Sequence, residues 1–335
     1  MARIFMTGFE AQSIYVCDWI RNSPEINTGT KRTGSASVYV NGSEGIGNSL
    51  SGSPSEIFLR IPHYYSSAGY YTAVFLSLYD RDEANQLTFM YNKATNLVEV
   101  RRGDEGGTLL ATGSIACPPG AWYCHEIHVV IDNSVGEVET KVDGESDIDI
   151  DSTDTQATSY SEVTKFLLGL DENDRNAAGY YDDIAINDTT GSDNNSWIGR
   201  GGIYGLFPEG AGTYTDFTPS AGANWQCVDE KPPNDDTDYV QSGTVTDQDT
   251  YEMEDLVPVV GGVTAVQWLA RAKLESAGAG NFQRLIRYSG ADYNGGDLAV
   301  DVSYKYFSEI FDTCLDGTAW TIAKVNALEA GMEIS

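Results

Sequence analysis

The feature that most limits how this chain can fold is a two-residue hydrophobic rhythm, repeated in short runs with turn residues between them. In YYTAVFLSLYD, Thr72, Val74, Leu76 and Leu78 fall on one side of an extended chain; Tyr71, Ala73, Phe75 and Tyr79 fall on the other. Both sides are largely apolar or aromatic, as in a strand inside a sandwich. LTFMYN and NLVEVRR follow across the turn KATN and read as a hairpin, and VETKVDG follows the turn NSVG. The chain carries 35 Gly and 20 Tyr and lacks long Ala/Leu/Glu/Lys tracts, so strands and turns are expected throughout.

The same rhythm decides how the chemically suggestive stretches are read. WYCHEIHVVID places His125, Ile127, Val129 and Ile131 on one face and Glu126, His128, Val130 and Asp132 on the other. The two histidines point apart and cannot share an ion, and the spacing is not the helical zinc motif HExxH. In DGESDIDIDSTDTQ, counting from Asp147 puts Ser152 and Thr158 at the sixth and twelfth positions, which breaks the EF-hand pattern. Asp147, Asp149 and Asp151 alternating with Ile148 and Ile150 describe an edge strand with an acidic outer row; a loose calcium site is the alternative. A strand is expected over 180–186, and there one of Asp182 and Asp183 must face the apolar side and needs a hydrogen-bond or metal partner. Five scattered cysteines without a CxxC pair read as buried thiols, with an inter-subunit disulfide as the alternative.

Fifty acidic residues against twenty basic ones give a net charge of −30. Such a surface repels nucleic acid and anionic lipid, and suits an exposed particle surface or a salt-rich medium. MARIFMTGFEAQS has no basic region followed by an apolar run, and no stretch is long enough to span a bilayer. Neither a leader nor a membrane partner is therefore expected. Three regions are expected: a sandwich over 1–202, an extended linker over 203–238, rich in Gly, Pro and Asp, and a small β-rich domain over 239–335. In that last region AVQWLARAKLE, FQRLIRYSG and DLAVDVSYKYF read as strands. TAWTIAKVNALEAG reads as a short terminal helix, with Ile322, Val325 and Leu328 at helical spacing and Gly331 as its stop.

The order of signals in the first 200 residues adds a resemblance. GFE stands near the start, then TGTKRTGSASVYV, WYCHEIHVVID, NSVGEVETKVDG, FLLGL and YYDDIAINDTTG. This resembles the laminin-G-like, concanavalin A-like jelly roll, in the form seen in virion proteins of tailed bacteriophages. The later NWQCVDEKPPNDDTDYVQSG and AWTIAKVNALEAGMEI are similar to the tail end of such proteins. The resemblance implies an all-β antiparallel jelly-roll sandwich followed by the smaller domain, with GFE and YYDDIAI as neighbouring strands. That would bring Glu10 near Asp182 or Asp183, where a Ca²⁺ ion, or backbone N–H groups and Arg, would satisfy the carboxylates. It also implies synthesis in a host cytoplasm, localisation in the virion as a head decoration or a neck or tail component, partners among the other virion proteins, and a homo-oligomer, trimers being common.

Three function classes follow. Glucanases of related fold use Glu-x-Asp-x-Glu on one strand; here Glu126-Ile-His128-Val-Val130 lacks the second and third acids, and no Gly-x-Ser-x-Gly elbow, P-loop or dinucleotide fingerprint occurs. No enzyme and no cofactor beyond the candidate Ca²⁺ are expected. Tyr64, Tyr65, Tyr70 and Tyr71 in HYYSSAGYY are candidates for stacking on the sugars of a host glycan, with core packing as their alternative. The expectation is a non-catalytic virion structural protein, with a glycan-binding adhesin for host attachment as the alternative.

Overall fold

The structure is a computed structural model and describes residues 2–66, 73–169, 178–257 and 261–335. It is all-β, and every strand pair described is antiparallel. The chain divides into two compact units, Met1–Ile203 and Tyr204–Ser335. Among the described residues no helix is long and apolar enough to cross a membrane.

The first unit is a jelly-roll sandwich of two sheets. One has nine strands, running Glu145–Thr153, Gly136–Val142, Trp122–Val130, Glu56–Tyr65, Gly179–Tyr181, Ser37–Val40 and Glu25–Asn27. Ile184–Asp188 also pairs with Glu56–Tyr65 and brings in Arg3–Thr7, so the strands flanking GFE and YYDDIAI are neighbours. The second sheet has seven strands: Thr108–Thr112, Val98–Arg102, Asn85–Tyr91, Ala73–Tyr79, Lys165–Leu168, Gly45–Ser49 and Trp19–Arg21. Alternate residues of both sheets meet in one apolar cluster that includes Phe5, Ile57, Leu59, Ile61, Phe75, Phe89, Ile127 and Phe166. Phe5 meets Phe166 edge-on at 5.1 Å between ring centroids. Burial of these inward side chains supplies most of the driving force, at about 25 cal/mol per Å² of apolar surface.

Glu145–Thr153 lies at the edge of its sheet, with Asp149 and Asp151 exposed. Asp147 instead turns to the rim between the sheets and accepts N–H bonds from Ser114 (2.6 Å) and Ile115 (2.7 Å). The expected strand over 180–186 breaks in two. Asp183 adopts φ 52°, so Gly179–Tyr181 and Ile184–Asp188 are separate strands with the paired aspartates at the break. All five cysteines are buried free thiols, a placement that leaves no sulfur at the surface for an inter-subunit bridge.

The second unit centres on a five-stranded sheet, ordered Pro208–Thr215, Gln248–Met253, Leu328–Ile334, Gly280–Tyr288 and Ala291–Val300. A separate antiparallel pair, Val266–Ala272 with Lys305–Phe311, packs Trp268 and Phe307 against Phe282 and Ile286 of that sheet. Three expectations are corrected. Residues 208–215, read as part of an extended linker, form a strand that pairs with Gln248–Met253, because tertiary pairing captures a segment with no apolar rhythm of its own. DLAVDVSYKYF is two strands rather than one, since the Asp301 carboxylate takes the Ser303 N–H and turns the chain. The terminal helix is only Ile322–Val325, and Leu328–Ile334 is a strand hydrogen-bonded on both sides. Gly331 is therefore no helix stop: a Cβ there would lie 1.8 Å from the Asp249 carbonyl oxygen, so close strand approach demands glycine.

Candidate functional site

The outer face of the nine-stranded sheet carries the polar and aromatic chemistry of the first unit. On the central strand, Phe58, Arg60, Pro62 and Tyr64 point outward; opposite them, in register, stand His128, Glu126, Cys124 and Trp122. Residues 196–203 lie across one half of this face. Gly199 donates its N–H to Glu126 Oε1 (2.7 Å), and Asn187 Nδ2 donates to the Ser196 carbonyl (2.8 Å). Beneath this strap His128 stacks on Phe58 at 4.2 Å and donates from Nε2 to Glu56 Oε1 at 3.0 Å. Trp197 meets both rings edge-on, and Lys141 Nζ sits 3.6 Å from the Trp197 ring centroid. His125, on the opposite side of its strand, is in the core, so the two histidines do point apart.

Asp182 and Asp183 come together under the same strap with Glu10 near Asp183, and all but one of the six carboxylate oxygens are taken. Asp182 Oδ2 accepts the N–H groups of Arg32 (2.8 Å) and Thr33 (3.2 Å), and its Oδ1 accepts that of Asp183 (2.7 Å). Asp183 Oδ2 pairs with Arg32 Nη1 at 2.7 Å, and its Oδ1 accepts from Thr33 Oγ1 (2.6 Å) and Ile203 N (2.5 Å). Glu10 Oε2 accepts both N–H and Oγ–H of Ser35 at 2.7 Å. Only Glu10 Oε1 is left over; it packs on Gly34, where a Cβ would come within 2.0 Å of it. Burial pushes the Glu10 carboxyl up; burial and the charge of Asp183 push Asp182 well above the usual carboxylate range, against the backbone N–H groups that pull it down. The Arg32 guanidinium supplies the positive charge that Ca²⁺ would bring. These residues do not fit a Ca²⁺ site, and among the described residues no three His, Cys, Asp or Glu side chains are grouped to hold a metal.

The other half of the face is aromatic, and none of the hydrogen bonds of residues 196–203 reaches it among the described residues. Trp122 is directly opposite Tyr64, Tyr64 opposite Tyr180, and Tyr180 opposite Tyr39, so four rings form a row across four adjacent strands. All four are partly exposed. Successive ring centroids are 5.8, 5.8 and 4.8 Å apart, with planes turned by 66°, 73° and 42°. Burial, Tyr180 and Glu44 push the Tyr39 phenol up from its ordinary value. Three phenol hydroxyls and one indole N–H stand beside ring faces here, a surface suited to ligands that are apolar on one side and hydroxylated on the other.

Of the four sequence candidates, Tyr64 is in this row. Tyr65 points the other way, is 1% exposed and stacks on Tyr91 at 4.9 Å, so it is a core residue and not a stacking platform. Tyr70 and Tyr71 lie outside the described residues. Sequence reasoning missed Trp122, Tyr180 and Tyr39. Each is an outward residue of a short strand, but their adjacency depends on registers between segments far apart in the chain.

Inside the sandwich, Tyr91 Oη lies 3.1 Å from His63 Nδ1 and 2.7 Å from His125 Nε2. Tyr181 stacks on His63 at 4.3 Å and donates to the Phe75 carbonyl at 3.1 Å. Burial drives His125 down to about 3, which keeps its ring neutral. This network is sealed in the core.

No family model matches the chain, and no curated protein matches it. Among solved structures it is similar to a sialidase from Trypanosoma rangeli (11% identity, TM-score 0.34), covering 50% of this chain but only 27% of the sialidase. It is also similar to domain 4 of AbnA, a GH43 extracellular arabinanase from Geobacillus stearothermophilus, in complex with arabinotriose (16% identity, TM-score 0.35, 55% of this chain and 81% of that one). A third is the carbohydrate-binding module CBM66 from Bacillus subtilis (13% identity, TM-score 0.34, 50% and 92%). These are β-sandwich proteins of carbohydrate chemistry, at identities and scores too low to carry any of their activities to this chain.

Proposed function

We propose that this chain is a non-catalytic glycan-binding protein that holds a carbohydrate on the row Trp122, Tyr64, Tyr180 and Tyr39. The observation that carries this reading is the row itself: four partly exposed rings in direct register on one half of a sheet face. Sugar rings present C–H faces that pack on aromatic rings, while their rims hydrogen-bond to hydroxyls such as those of the three tyrosines. In this reading the acids hold structure: Asp182 and Asp183 spend their oxygens on backbone N–H groups, Thr33 and Arg32, Glu126 Oε1 accepts the Gly199 N–H, and Glu56 accepts from His128. A glycan array probed with the intact protein, followed by calorimetry on the best hit, tests it. Trp122→Ala should weaken binding by about tenfold or more, as removal of a large aromatic anchor does. Binding to no glycan, or binding that Trp122→Ala and Tyr180→Ala leave unchanged, would overturn it.

The laminin-G-like resemblance adds a place for such a protein: an exposed homo-oligomeric part of a tailed-phage virion, on the head, neck or tail, acting in host attachment. The net charge of −30 and the exposed acidic edge at Asp149 and Asp151 support an outward-facing, non-aggregating role. Electron microscopy of purified particles should show the chain in fixed copy number; its presence in lysate alone, never on particles, would remove it from the virion.

A further inference from the structure

Resting on the glycan-binding reading, the geometry of the row points to a narrower ligand. We infer that the site takes an uncharged, extended polysaccharide chain, gripped along its length and lying perpendicular to the strands, and not a single terminal sugar, an anionic glycan or a flat crystalline surface.

Three observations carry this. The first is direction and pitch. The four rings come one from each of four successive strands and stand directly opposite one another, so the row runs across the sheet with steps of 5.8, 5.8 and 4.8 Å. The step is imposed by the spacing of hydrogen-bonded strands, about 4.8 Å. It is close to the advance per residue of an extended chain of pyranose rings, so consecutive sugars meet consecutive side chains. A single terminal sugar would use one or two of these rings and leave the others unexplained.

The second is the turn between neighbours. Adjacent planes differ by 66°, 73° and 42°. A flat crystal face needs coplanar rings and would meet edges here. A lone chain whose sugar faces rotate about its own axis can meet each ring in turn.

The third is charge. None of the four positions is basic, and the row ends towards acid: Glu25 is directly opposite Tyr39, and Glu44 also acts on the Tyr39 phenol. On a chain of net charge −30 a uronate, sialate or sulfated glycan would be repelled at close range, while a neutral chain meets no such cost. The strand beside Trp122 begins its pairing only at His125 with Val142, so among the described residues no further ring continues the row there.

The test is a length ladder of neutral β-1,4-linked gluco- and manno-oligosaccharides, from disaccharide to hexasaccharide, with alginate oligosaccharides as the anionic arm, measured by calorimetry on the full chain. Affinity should climb to the tetrasaccharide and then level off, one sugar per ring. Tyr39→Ala, at the end of the row, should weaken the tetrasaccharide several-fold and leave the disaccharide nearly unaffected; Trp122→Phe should retain most of the binding and guards against a folding defect in Trp122→Ala. Alginate should bind at least about tenfold more weakly than its neutral counterpart at low salt, with the gap narrowing as salt is added. Binding that responds to Trp122→Ala yet is equal for disaccharide and hexasaccharide, or tighter for alginate, would overturn this inference and leave the glycan-binding reading standing. Loss of all response to the row variants would take both down.

Discussion

His125 stands 2% exposed between Phe75 and Tyr91 and holds its ring neutral down to about pH 3. In the unfolded chain the same ring protonates near 6.5. Its folded pKa is thus depressed, so between those values the unfolded chain binds the proton that the native state refuses. Stability from this residue is intact above about pH 6.5 and falls as pH drops towards 3, by up to about 1.4 kcal/mol per pH unit. Urea midpoints measured across that range should show the fall, and His125→Gln should flatten it. Asp183 makes a second case at this scale. It is 0% exposed, holds Arg32, Thr33 and Ile203, and sits at φ 52° where the strand breaks. Asp183→Ala removes the carboxylate partner of Arg32, which keeps only the Gly201 and Arg200 carbonyls, and orphans the Thr33 and Ile203 donors, so it should cost about 2–3 kcal/mol. Because Arg32 already supplies the positive charge, neither added Ca²⁺ nor EDTA should move the melting temperature; a rise with Ca²⁺ would contradict that account. Sequence showed that these aspartates needed partners. It could not show that Arg32, some 150 residues away, would be one of them.

At the scale of elements, strands were readable wherever alternation met turn residues. The hairpin across KATN, the strand of WYCHEIHVVID and the edge strand of ESDIDIDST all follow from period two. The failures have a common cause. Ala-Leu-Glu-Ala reads as helix locally, yet Leu328–Ile334 gains a hydrogen-bonded neighbour on each side, which outweighs a propensity of tenths of a kcal/mol per residue. Gly331→Ala tests this. In a helix it would help; in this sheet the 1.8 Å approach to Asp249 O makes it destabilising by about 1–3 kcal/mol, readable from the denaturation midpoint. The aromatic row was legible only in part, since parity puts Tyr64 and Trp122 on outward faces but nothing in the sequence says which strands adjoin. The acidic edge carries its own test. Replacing exposed Asp149 and Asp151 together by Val should leave the fold intact and raise light scattering, by opening the edge strand to pairing with another copy.

For the whole molecule, charge is the dominant variable. With 50 acidic and 20 basic residues the folded chain repels itself, and salt shortens the reach of that repulsion from about 10 Å at 0.1 M to about 3 Å at 1 M. Melting temperature should therefore rise with NaCl over that interval; a fall would mean that the surface ion pairs outweigh the excess of acid. The first unit has a contiguous core of its own, whereas the second relies on two smaller clusters. One last consequence comes from where the four rings originate. Tyr39, Tyr64, Trp122 and Tyr180 are scattered over more than 140 positions of the chain. No nascent or clipped fragment lacking either extreme can present the complete grip. On the proposed glycan-binding reading, recognition waits until the sandwich has closed, and a docked sugar would act as a clasp between distant stretches of polypeptide.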